Sequence, residues 1–242
     1  TFAPYTGHHF ILWSESPNGI PDSTHVNDTL AIADLFPALS GTYTVGGVLP
    51  DFNLFSQLQE ALNKGGILGD VTFNIRNGTY STQLVVENFP RNSYAHTVTF
   101  QAESGDSSLV HIRKDFYLPS KNYTIQLRNA HHVYFEHLSL ESTQGRILDM
   151  VNGSSNIHIE SCALNGVPIT YVTGTHQLIY SSTTSEDSIH IVGNRFAFGD
   201  YGIFLTASGG DPEKEVTIEN NSFQDIRYRS IEVQNQTRLM IK

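Results

Sequence analysis

Four stretches of this chain repeat one short pattern. They are Val133-Tyr-Phe-Glu-His-Leu-Ser-Leu140, Ile157-His-Ile-Glu-Ser-Cys-Ala-Leu164, Ile189-His-Ile-Val-Gly-Asn-Arg-Phe196 and Val216-Thr-Ile-Glu-Asn-Asn-Ser-Phe223. Each reads apolar, outward, apolar, outward, three small or polar residues, then a large apolar residue. The starts lie 24, 32 and 27 residues apart. A strand and a turn recurring at this interval, with no helical period between copies, describe stacked coils. Val98-Thr-Phe-Gln and Val71-Thr-Phe-Asn-Ile extend the series backwards, and Leu239-Met-Ile241 begins another copy. A second strand type, Ile125-Gln-Leu-Arg-Asn129 and Ile231-Glu-Val-Gln-Asn235, starts eight residues before Val133 and Leu239. Val, Ile and Phe fill the inward positions, and Asn, Gly and Ser fill the corners, where left-handed backbone is needed. The expected fold is all-β, a right-handed parallel β-helix of about six to seven coils.

The coils are unequal. Surplus residues fall in 103–123 and 171–188, expected as long loops that are either a binding face or decoration. Ahead of the coils, residues 51–63 place Phe52, Phe55, Leu58, Ala61 and Leu62 on one helical face, with Asp51 as the expected N-cap and Gly65-Gly66 as the stop. A solenoid leaves an apolar, unpaired end, so this helix is expected to cap the coils. Residues 1–45 differ in texture. His9-Phe-Ile-Leu-Trp13 and Thr29-Leu-Ala-Ile-Ala33 read as strands around a turn-rich Ser-Pro-Asn-Gly-Ile-Pro-Asp. Two strands alone are not a stable domain. They either pack on the β-helix or belong to another module. The division is therefore 1–45 strand-rich, 46–70 capping helix and lead-in, and 71–242 β-helix. Both ends look cut from a longer polypeptide.

Charged residues make up only 16% of the chain, against roughly 25% in ordinary soluble domains. The net charge of −10 comes without a Lys/Arg cluster, which disfavours nucleic acid and anionic membranes as partners. No apolar run reaches membrane-span length, and no signal-peptide pattern opens the chain. Cys162 is the single cysteine, so no internal disulfide forms; it falls on a corner with nothing in sequence to activate it. Six Asn-x-Ser/Thr triplets, such as Asn77-Gly-Thr79, reflect the Asn- and Thr-rich composition.

Gly41-Thr-Tyr-Thr-Val-Gly-Gly47, Pro50-Asp-Phe52, the helix, Gly69-Asp-Val-Thr-Phe-Asn-Ile-Arg-Asn-Gly-Thr-Tyr80 and Thr97-Val-Thr-Phe-Gln-Ala-Glu-Ser-Gly-Asp106 resemble a segment of large secreted proteins of Bacteroidetes-type bacteria. There the segment opens a right-handed parallel β-helix of the pectin-lyase-like superfamily. Asn18-Gly-Ile-Pro-Asp-Ser-Thr-His-Val-Asn-Asp-Thr29 is similar to the last hairpin of the immunoglobulin-like modules that often precede it. The resemblance implies a secreted or cell-surface setting beside other domains. It does not select an activity, because lyases, hydrolases, epimerases, adhesins and inert stalks share this superfamily.

Aligning the copies gives two outward ladders, Tyr134/His158/His190/Thr217 and Glu136/Glu160/Val192/Glu219. Stacked strands sit about 4.8 Å apart. His158, Glu160 and His190 are therefore metal candidates, although flat sheet faces converge poorly on an ion. Tyr134, His158 and His190 are candidates for a carbohydrate platform. Lyases on this fold use acidic Ca2+ ligands with an Arg or Lys base, and hydrolases use clustered Asp. The nearest groups here are Asp200, Asp225, Arg227 and Arg229, with Asp200 and Asp225 expected at roughly matching places on successive coils and Asp225–Arg227 readable as a surface ion pair. The hydrolase and lyase signatures themselves are absent. His8-His9 and His131-His132 are neighbours pointing to opposite sides, so neither pair chelates. No phosphate-binding glycine motif occurs. The expectation is a non-catalytic β-helix module, a spacer or adhesion platform touching glycan, with no resident cofactor. The alternative is a polysaccharide lyase, with Ca2+, or a glycoside hydrolase.

Overall fold

The computed structural model describes residues 4–14, 19, 29–91, 95–114, 121–168, 174–182, 186–207 and 212–242. Its body is a right-handed parallel β-helix of about six turns. The first face holds eight parallel strands: Leu39–Val45, Ile67–Ile75, Val98–Ala102, His131–Glu136, Ser155–Glu160, Asp187–Val192, Thr217–Glu219 and Met240–Ile241. The aligned copies stack in register, Val71 on Val98 on Val133 on Ile157 on Ile189. The partner column runs Tyr43, Phe73, Phe100, Phe135, Ile159, Ile191, Ile218 and Ile241. Leu39–Val45, inside the strand-rich segment of the sequence, forms the first rung of this sheet.

The large apolar residue that closes each repeat belongs to the second face. There Tyr80, Ile112, Leu140, Leu164, Phe196 and Phe223 stack in order. The third face adds Leu84, Ile125, Leu148, Ile179, Ile203 and Ile231. In the last two turns the second and third faces join into single long strands, Arg195–Thr206 and Ser222–Gln234. Columns of aliphatic and aromatic side chains from the three faces thus fill one dry interior; most are fully buried, while Tyr43, Tyr80, Phe223 and Ile231 are partly buried and Ile241 is exposed. Rings stack within it, Phe73 to Phe100 at 5.1 Å and Phe100 to Phe135 at 5.3 Å between centroids.

Corners behave as their composition requires. His137, Ser161, Gly193 and Asn220 all take left-handed backbone, one per turn. The next residues, Leu138, Cys162, Asn194 and Asn221, lie inside the bend. Asn194 Oδ1 accepts from the Cys162 amide at 2.9 Å, and its Nδ2 donates to Ile159 O at 2.8 Å. Asn221 repeats the arrangement one turn on, accepting from the Asn194 amide at 2.9 Å and donating to Ile191 O at 2.7 Å. This asparagine ladder satisfies backbone groups that the bend removes from the sheets. Cys162 is buried beneath it, and burial pushes its thiol up to about 12, so the cysteine is structural.

The helix spans Phe55–Gly65 and buries Phe55, Leu58, Ala61 and Leu62 over the first turn. It also covers the sheet edge chemically: Gln59 Oε1 accepts from the Val85 amide at 2.8 Å, and Asn63 Nδ2 donates to Val85 O at 3.1 Å. The cap is thus apolar contact plus side-chain pairing of an exposed ladder. Asp51 is not its N-cap. Thr44 claims that carboxylate through its amide at 2.7 Å and its hydroxyl at 2.8 Å. The pairing of Val45 with Phe52 keeps the chain extended, so the helix starts four residues later. Gln57 Oε1 accepts from the Asn53 and Leu54 amides instead, at 2.9 and 3.1 Å.

The expected N-terminal strands form an antiparallel hairpin, His8–Trp13 with Thr29–Leu35, in a sheet of their own. Ile11, Leu12 and Trp13 are exposed on it. The turn-rich segment between them lies outside the described residues except Gly19. The two surplus regions are only partly loops, because Val110–Lys114 is a second-face strand and Gln177–Ser181 a third-face strand. Residues 115–120, 169–173 and 183–185 lie outside the described residues. No helix of the described residues is long and apolar enough to cross a membrane.

Candidate functional site

On the first face the register brings Tyr134, His158, His190 and Thr217 into one ladder, and Glu136, Glu160, Val192 and Glu219 into the other. The rings stack, Tyr134 to His158 at 4.1 Å and His158 to His190 at 4.4 Å between centroids. Stacking covers both faces of His158 and one face each of Tyr134 and His190, which leaves a sugar only the outer faces and edges of the end rings. His158 Nε2 contacts Asn156 Oδ1 at 3.0 Å rather than a metal-ligating neighbour. Among the described residues no group of three His, Cys, Asp or Glu is placed to hold a metal ion.

The stack has a consequence for stability. Burial, then the charges of His190 and His132, lowers the His158 imidazole from 6.5 to about 4. A base depressed in the folded state makes folding more favourable as pH rises through that window. His158 is half-buried. With screening allowed for, stability is expected to fall by about 1–2 kcal/mol between pH 6.5 and 4. His158→Phe keeps the stack without the proton. Chemical denaturation across that range should show this contribution removed in the variant.

The structure builds a different site on the outer side of the second face. Arg113, Glu141, Asn165, Ala197 and Gln224 form one outward ladder, each one residue after the large apolar residue of its turn. A cleft of about 300 Å³ runs along it, lined by Arg113, Glu141, Thr143, Asn165, Pro168 and Phe198. A second, of about 380 Å³, continues through Pro168 and Phe198 to Asp225, Ile226 and Arg227. The two share Pro168 and Phe198 in their walls.

A polar chain orders the floor. Glu141 Oε1 lies 2.7 Å from His111 Nδ1 and accepts from Ser139 Oγ at 3.1 Å. The same hydroxyl accepts from Asn165 Nδ2 at 3.2 Å, and Asn165 Oδ1 accepts from Arg195 at 3.4 Å. His111 Nε2 donates to Ser108 O at 3.0 Å. These two contacts hold the His111 ring in place between Ser108 and Glu141. Phe198, where the clefts meet, has φ of 63°, a left-handed conformation that is strained for a bulky residue.

Asp225 and Arg227 therefore lie together on the lip of this cleft, exposed. Asp200 does not join them. It is fully buried and accepts from the Gly174 amide at 2.7 Å, with His176 Nδ1 3.7 Å away. The pairs Ala197–Gln224 and Gly199–Ile226 set Phe198, not Asp200, opposite Asp225. The two strands pair at an offset of 27 residues up to Gly199, whereas the two aspartates lie 25 apart, so they do not align. Arg229 turns to the third face, pairing with Glu232 at 2.8 Å.

No family model matches the chain, and neither curated proteins nor solved structures give a match. The fold and the cleft are what its chemistry can be argued from.

Sequence reasoning missed His111, Arg113, Glu141 and Phe198. The signal existed: the position after each closing apolar residue is outward and aligned. Arg113 escaped because its strand was counted as loop, and Phe198 because the bend that presents it has no distinctive residue type.

Proposed function

We propose that this chain is a non-catalytic β-helix module that binds a glycan chain along the second-face cleft while the solenoid acts as a rigid spacer or adhesion platform. The observation carrying this reading is the cleft itself. Planar polar side chains from successive turns, Arg113, Glu141 and Asn165, recur at the coil spacing of about 4.8 Å. That spacing is close to the rise of one sugar along an extended polysaccharide. Phe198 and Pro168 supply the apolar wall against which a sugar ring packs. His111 and Glu141 are held in fixed positions by their own contacts.

The setting we propose follows the sequence resemblance: a secreted or cell-surface bacterial protein of the pectin-lyase-like type, alongside further domains. Binding is tested on a panel of neutral and acidic polysaccharides, with and without Ca2+, while reducing ends and unsaturated products are followed. Arg113→Ala and Phe198→Ala should each weaken binding about tenfold, the loss of one charged hydrogen bond or one packed ring. Binding untouched by both substitutions would remove the cleft as the site. Turnover abolished by Asp225→Ala would replace the module reading with a lyase or hydrolase.

A further inference from the structure

At the corner between the third and first faces, two acidic side chains are fully buried, Glu186 and Glu213. They come from successive turns and meet at one hydroxyl. Ser181 Oγ contacts Glu186 Oε2 closely and lies 3.4 Å from Glu213 Oε1. A serine hydroxyl carries one hydrogen. It can donate to one carboxylate only, so the second contact is a hydrogen bond only if that carboxyl brings its own proton. Glu213 O–H donating to Ser181 Oγ, and Ser181 O–H donating to Glu186, satisfies every group.

We propose that Glu213, Ser181 and Glu186 share one proton and form a pH-operated latch that holds the last turn of the solenoid. The last turn is tied to this point directly. Gln236 Nε2 donates to Glu213 Oε2, and Glu213–Lys214 pairs in parallel with Gln236–Thr237. The Glu213 amide donates to Asn235 O at 3.0 Å, and the Glu215 amide to Thr237 O at 3.1 Å. Loss of the proton leaves two buried negative charges around a single hydroxyl, a cost relieved when the last turn opens and water reaches Glu213.

Among the described residues, the charges that bear on Glu213 are themselves acidic. The groups that bear on Glu213 are Glu186 and Asp187 from the preceding turn, Ser181 from the third face and Gln236 from the following turn; Lys214 and Glu215, next on its own strand, are exposed. Gly153, two turns back, adds an amide that donates to Glu186 at 3.3 Å. Burial first, and then the charge of Glu186, pushes the Glu213 carboxyl up to about 7, against the lowering contact from Gln236. A carboxyl raised in the folded state gives stability that is full below its ordinary value of 4.5 and is lost as pH climbs to about 7. This runs opposite to the His158 contribution, so the test must be local.

Two measurements decide it. Carbon-detected NMR of the Glu213 carboxyl should give a midpoint near neutrality, and Glu186→Gln should move that midpoint toward the ordinary glutamate value. Hydrogen exchange at the Glu213 and Glu215 amides and at Gln236–Thr237, corrected for intrinsic rates, should show opening that rises on the order of a hundredfold from pH 5 to 8. In Glu213→Gln that rise should vanish. Glu213 titrating with the exposed carboxylates would overturn the proposal, as would a pH-dependent opening that persists in Glu213→Gln.

Discussion

Phe100→Ala is expected to lower the free energy of unfolding by about 3–5 kcal/mol, the range for removing a large ring from a packed core. Phe100 is fully buried, with Phe73 stacked on one side and Phe135 on the other. Both neighbours are anchored by their own strands in the first-face sheet, so neither can move far to fill the space. Urea denaturation of the wild type and the variant measures the difference. Phe73→Ala should couple to it, because the two rings share a contact, and the double variant should cost less than the sum. An effect under about 1 kcal/mol would mean that the ring column is not a packed interior.

Gly66→Ala should be comparably severe, at about 3 kcal/mol or more, but its damage should be confined to the capped end. Gly66 ends the helix with φ of 69° and ψ of −158°, a region open essentially to glycine alone. A Cβ there would stand 1.9 Å from Pro90 O. The same residue supplies the carbonyl that accepts from the Leu39 amide at 2.8 Å, so its backbone is held between the helix and the first rung. Hydrogen exchange should show protection lost first across Phe55–Gly65 and Leu84–Glu87, with the later turns keeping theirs. Uniform loss along the solenoid would show that the helix is not a local cap.

The inward pattern of the first face was legible because its chemistry is local. Alternation of Val, Ile and Phe over four residues reports which side faces the interior, and left-handed corners select Asn, Gly and Ser. The helix was legible for the same reason, from Phe55, Leu58, Ala61 and Leu62 on one face. The third face was harder. Arg146–Val151 reads Arg-Ile-Leu-Asp-Met-Val, and its alternation is masked because Ile147 and Asp149 are buried as well as Leu148 and Met150. Asp51 looked like a cap from position alone, yet a threonine on the adjacent strand held it better.

The candidate site was less legible than the fold. Asp225 and Arg227 were identified as polar groups beyond a closing apolar residue, and both reach the cleft. Their neighbours there, Arg113, Glu141 and Phe198, come from three other turns. Tyr134, His158 and His190 were correctly aligned, but alignment along a ladder does not say whether rings will stack on each other or stand open.

The amino-acid order by itself determined that this chain coils, which side chains go inside and how the first coil is closed, because each of those depends on residues within one turn. Only the tertiary structure decided which outward groups share a cleft and which acids are buried together. The offset between paired residues changes from turn to turn, from 24 to 32 to 27 to 23 along the first face, and with it the neighbours of every outward group. The 27-residue offset of one turn sets Phe198 opposite Asp225 and brings Glu186 to Glu213 across a single serine.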